Sequence, residues 1–285
     1  MSAAKTASVQ SLMTKAQQAL TRNHWFEAER LCAKALDMAR AAGDFNLMAR
    51  ICLPLQEARR QRREIAFDSR RLVIVQDAIP EERAIEPVCY LVQPPLVGAD
   101  ARRLRLIALE REIPAIVLCR EPRTQLGLCP VVAIGQVTIR TRIDPPKKWD
   151  KPTLEWYAEA LEQLGDAAIE TLDAGAEPSK QVDALLERLD AMPDHENLHQ
   201  ALAETCRLAG RHYVEGVVAP PRAAVRLRTG EEQFGVAHSA ELERDEGDED
   251  GVDAVDAIEP APPAAPSRPR LPERPASKGP RRSER

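Results

Sequence analysis

The sequence predicts a mixed α/β protein framed by helices, on three observations. The first sixty residues carry apolar side chains at helical spacing, the stretch from residue 70 to 143 switches to short continuous apolar runs, and helical spacing returns after Pro152. These changes of period divide the chain into a helical segment (1–64), a mixed α/β domain (65–150), a second helical segment (151–219) and a charge-segregated tail (220–285) expected to be disordered.

The elements follow in order. Val9, Leu12, Met13, Ala16 and Leu20 make one helical stripe, and Ala28, Leu31, Cys32, Ala35, Ala39 and Ala42 make the next. The break at Thr21–His24 is short enough to fold the two helices antiparallel, and Gly43-Asp44 reads as a glycine stop followed by a new N-cap. A third helix runs from Asp44 to about Glu64, with Pro54 expected to kink it or restart it near Leu53. Its end carries Arg59, Arg60, Arg62 and Arg63, read as a solvated terminal turn or, more sharply, a patch for an acidic partner.

Leu72–Val75, Val88–Val92 and Ala115–Cys119 read as buried strands. Between the last two, Asp100 is placed to cap a helix holding Ala101, Leu104, Ala108 and Leu109, giving a βαβ unit. Val131–Ile134 is another strand. From Val137 to Ile143 apolar and polar residues alternate, as in a half-solvated antiparallel edge strand. Three apolar stripes follow, Leu154–Leu172, Val182–Leu189 and Leu198–Ala209, the last ended by Gly210. In the tail, Glu241–Asp256 is strongly acidic and Pro260–Arg285 is rich in Pro, Ala and Arg, with too little apolar surface to offset the entropy of ordering.

Trp25 to Leu36, with Ala16 ahead of it and Ala28 and Ala35 within it, resembles a tetratricopeptide repeat. The likeness covers about one repeat, lacks a glycine in its first helix, and has Arg40 where the closing proline is expected. It implies a helical hairpin that binds a protein partner on the concave side of the first helices.

Of the 285 residues 44% are apolar, enough for a core, but only 4% are aromatic, so that core must be aliphatic. A net charge of -5 argues against a protein that coats nucleic acid. No apolar run fits a signal peptide or a membrane span, and the six dispersed cysteines read as buried thiols of a cytoplasmic protein.

Three constellations bear on chemistry. His195-Glu196-Asn197-Leu198-His199 resembles the H-E-x-x-H motif of zinc metallopeptidases, in which two imidazoles on one helical face hold the metal. Its context differs: Pro193 and Asp194 put it in the first turn of a helix, on its exposed start and with Asp194 as cap. Leu202 and Thr205 stand where the extended motif has Gly and His, and nothing singles out Glu215 as a third ligand. Arg120, Arg123 and Thr124 follow a buried strand, where α/β sheets bind ligands, and are candidates to hold a small anion. Lys147, Lys148 and Lys151 around Trp149 carry too few aromatics for nucleic-acid stacking and read as a linking loop.

The expectation is a protein-binding or assembly protein with no catalytic activity and no cofactor, contacting its partner through Arg59, Arg60, Arg62 and Arg63. The alternatives are a small-anion binder or sensor using Arg120, Arg123 and Thr124, and a metal-dependent hydrolase using His195 and His199.

Overall fold

Seven helices and five strands form a mixed α/β fold in the computed structural model, which describes residues 3–80 and 84–212. Helices α1 (Ala3–Thr21), α2 (Trp25–Ala41) and α3 (Phe45–Asp68) run back and forth across tight turns. Asn23 (φ 61°) and Gly43 (φ 68°) supply the left-handed residues these turns need. Past Gly43 the Asp44 amide returns to Ala39 O at 3.0 Å, and the Asp44 carboxylate accepts from Leu47 N at 2.9 Å to start α3.

Helix α3 runs unbroken through Pro54, so the restart expected near Leu53 is absent. The proline removes a hydrogen bond to the carbonyl of Arg50, an exposed residue, and Leu53 beside it is 71% exposed. The lost bond therefore falls on the solvent side of α3, where its cost is smallest.

The sheet has the order β1 (Leu72–Val75), β2 (Cys89–Val92), β3 (Ile116–Arg120), β4 (Cys129–Ile134), β5 (Thr138–Ile143). The first three strands are parallel and the last two antiparallel, with β5 on the edge as its alternation predicts. Helix α4 (Gly98–Glu110) connects β2 to β3. Asp100 sits in its first turn and accepts from Val97 N at 2.9 Å, so it closes the helix start from inside and is not the cap.

Strand alternation sorts the core. Tyr90, Val92, Cys119 and Val132 pack with Leu104 and Ala108 of α4 on one face. Cys89, Leu91, Ile116, Leu118 and Val131 pack on the other face, in one apolar cluster with α5 (Leu154–Glu170), α6 (Pro178–Ala191), α7 (Glu196–His212) and α1–α3. That cluster runs from Val9 on α1 to Ala209 on α7, and the boundary expected after residue 64 falls inside α3. Tyr157 of α5 anchors helix to sheet, its hydroxyl lying 2.9 Å from Ile116 O and 3.1 Å from Tyr90 O.

Helix α7 does not stop at Gly210. A Cβ there would lie 2.6 Å from Asn46 Oδ1, so this glycine serves the close approach of α7 to α3. No helix among the described residues is long and apolar enough to cross a membrane. The tail expected from residue 220, and Glu215, lie outside the described residues.

Candidate functional site

The four arginines of α3 divide by helical geometry. Leu55, Ala58, Arg59, Arg62 and Ala66 lie on the buried face, whereas Arg60 and Arg63 point away from it. Arg59 and Arg62 are 5% and 7% exposed, which removes them from any partner surface and corrects the expectation of a four-arginine patch in a terminal turn. They converge on Glu29 of α2: Arg59 Nε donates to its Oε1 at 2.8 Å, and Arg62 lies 3.0 Å from its Oε2. Arg62 also donates to Asp194 at 3.3 Å and stacks on the Phe26 ring.

Burial alone would push the Glu29 carboxyl up, but Arg62 and Arg59 beside it hold it below the usual carboxylate range. Asp194 has the opposite balance. Its desolvation outweighs the pull of Arg62, and its pKa is raised above the ordinary value. Sequence reasoning missed Glu29, although the signal was present. It is an acid inside an apolar stripe, next to Ala28 and Cys32, where periodicity demands burial.

The two histidines of H-E-x-x-H lie at the centre of the same region, and they are buried, which corrects the expectation of an exposed helix start. His195 is 3% exposed and His199 1%. His195 is itself the cap of α7, its Nδ1 accepting from Leu198 N at 3.4 Å, while Asp194 turns to Arg62. The other ring nitrogen lies 3.2 Å from Glu162 Oε2 and 3.6 Å from Asp166 Oδ1 on α5. Gly165 leaves room for the ring, since a Cβ there would sit 2.2 Å from it.

His199 donates from Nε2 to Pro193 O at 2.9 Å, an oxygen that Arg59 NH1 also approaches at 3.4 Å. Burial lowers its pKa to about 3, so it stays neutral. The two imidazoles thus hold different partners, and among the described residues no group of three or more His, Cys, Asp or Glu is placed to hold a metal ion.

Two spaces adjoin this centre. A cavity of about 30 Å³, room for a water-sized group, is lined by Arg63, Arg105, Glu162, Asp194 and His195 at the sheet face. Arg105 reaches it from α4, donating to Asp190 O at 3.0 Å. An open groove of about 410 Å³ is lined by Arg60, Arg63, Glu64 and Phe67 of α3, Ala158 and Glu162 of α5, and Glu196 at the start of α7. The Arg63–Glu162 ion pair, which also draws Glu162 down to about 2 together with His195, lines both spaces.

At the opposite corner, Arg120 is wholly buried at the end of β3, and Arg123 lies within 4.8 Å of the same Trp149 ring that Arg120 stacks on at 4.1 Å. Thr124 fixes the β3–β4 loop, its hydroxyl accepting from Leu128 N at 3.0 Å. Trp149 is therefore a stacking platform for two arginines, a role the linker reading overlooked. All six cysteines are buried thiols, and burial pushes Cys32, Cys89 and Cys119 up to about 12, far from a nucleophile's range. Comparison with known proteins finds no matching family model, no similar curated protein and no similar solved structure.

Proposed function

We propose that this chain is a protein-binding or assembly protein without catalytic activity, and that its contact surface is the α3–α5 groove. The observation that carries this reading is the groove itself: about 410 Å³ of open space with Phe67 and Ala158 in its wall among charges of both signs. The occupant it suits is a polypeptide segment with an apolar side chain flanked by charges of both signs. Such a side chain would rest on Phe67 and Ala158, its charged neighbours meeting Arg60, Arg63, Glu64, Glu162 and Glu196 around it, where Arg60–Glu64 and Arg63–Glu162 already pair.

The buried titratable groups support binding over catalysis. Glu29, Arg59, Arg62 and His195 are tied into ion pairs or a helix cap, and His199 is held neutral. The run of three antiparallel helices supports the tetratricopeptide-like reading of the N-terminus, and the buried thiols favour a reducing compartment, the cytoplasm in this proposal.

The test is a photo-crosslinker at Glu64, in the groove wall, in wild type, in Ala158→Arg, which fills the groove, and in Lys180→Glu, on a different helix. One defined adduct should form in wild type and Lys180→Glu and vanish in Ala158→Arg, with thermal unfolding unchanged in all three. An adduct that persists in Ala158→Arg removes the groove as the contact surface.

A further inference from the structure

We propose that the carboxyl end of β3 is a binding site for a compact oxyanion, a carboxylate or phosphate group, held by Arg120 and Arg123. Four arginines of the described residues are buried: Arg40, Arg59, Arg62 and Arg120. Three have carboxylate partners, Arg40 on Asp183, Arg59 on Glu29, and Arg62 on Glu29 and Asp194. Arg120 has none. Its Nε donates to Gln93 Oε1 at 3.0 Å, its NH2 contacts the same oxygen and donates to Trp149 O at 2.9 Å, and its NH1 has no partner at all. Asp150 acts on it only through space.

A guanidinium does not give up its charge by deprotonating, so a wholly buried one facing only neutral acceptors is held at a cost that a counter-ion would remove. The charge stands where α/β sheets bind ligands, outside the carboxyl ends of parallel strands, with Val92 of β2 paired beside Cys119. Arg123 is an exposed second guanidinium at the same ring, and Lys147, Lys148 and Lys151 add positive charge on the adjoining loop. Asp144 and Asp150 belong to that loop too, while Glu121 pairs with Arg140 at 2.6 Å. A directional guanidinium N–H donor beside a second guanidinium suits an oxyanion better than a halide. Trp149 stacks on the Arg120 guanidinium, so an anion that reaches NH1 must shift the indole, and this makes Trp149 the natural reporter.

The experiment follows the indole N–H resonances of ¹⁵N-labelled full-length protein, which has three tryptophans, with the Trp149 signal assigned by Trp149→Phe. Inorganic phosphate and acetate are titrated separately at constant ionic strength set with chloride. A saturable movement of the Trp149 signal, with affinity about tenfold weaker in Arg123→Gln, supports the site. Which of the two anions produces it assigns phosphate or carboxylate as the ligand group. Arg123 is exposed, so its variant keeps the fold, and unchanged indole signals of Trp25 and Trp156 verify this. No movement with either anion, or equal affinity in wild type and Arg123→Gln, overturns the proposal.

Discussion

Removing the Glu29 carboxylate leaves two buried guanidinium groups with a single remaining acid, Asp194, which contacts only one of them. Glu29→Ala is expected to cost about 3–5 kcal/mol of unfolding free energy, the penalty of an uncompensated buried charge. Glu57→Ala breaks a half-exposed pair with Arg60 one turn away and should cost less than about 1 kcal/mol. Urea unfolding of both variants checks the contrast, and comparable losses would mean that Glu29 is better solvated than its 7% exposure implies. Gly165→Ala probes the other side of the same centre. Its new methyl group meets the His195 ring, so overpacking of about 1–3 kcal/mol is expected, with weakened exchange protection at the start of α7. Intact protection there would show that the ring does not need the space.

At the scale of elements, periodicity carried most of the fold. The strands at Leu72–Val75 and Cys89–Val92 stand where continuous apolar runs placed them, and β5 shows the edge position that Arg140 and Arg142, alternating with Ile139 and Ile143, announced. What escaped was anything decided by a neighbour far away in the chain. Pro54 read as a break because the apolar but exposed Leu53 beside it masks the solvent side of α3, and Gly210 read as a stop because its contact, Asn46, lies on another helix. The burial of Glu29 was legible in its apolar stripe, but its partners were hidden for the same reason, since Glu29, Arg59 and Asp194 meet only after α2, α3 and the α6–α7 turn pack. Because α3 continues through Pro54 with the orphaned carbonyl on its solvent side, Pro54→Ala should restore one hydrogen bond and stabilise the protein by about 1–3 kcal/mol. A fall in melting temperature would instead show that the proline ring contributes more to the native state than the missing hydrogen bond costs.

At the scale of the whole molecule, the buried centre fixes how the fold responds to acid. His199 has its pKa lowered from 6.5 to about 3, so between these values the unfolded chain binds a proton that the native state refuses. Its contribution is complete above pH 6.5 and declines as pH falls toward 3, amounting to a loss of about 2–3 kcal/mol by pH 4.5. Glu162, held at about 2 by His195 and Arg63, extends the same decline through the window from 4.5 to 2. Asp194 runs the other way. Its raised pKa means that the native state takes up a proton more readily than the unfolded chain, so it offsets part of the loss at the acid end. The three groups sit on α5, α7 and the turn before α7, so acid should loosen the docking of α7 onto α3 and α5 before the α4 side of the sheet responds. Urea unfolding of wild type and His199→Gln between pH 7 and 4.5 isolates the histidine: the variant should be less stable at pH 7 yet lose less on acidification. Parallel pH slopes for the two proteins would show that His199 takes up its proton in the native state, and the neutral imidazole at the centre would have to be abandoned.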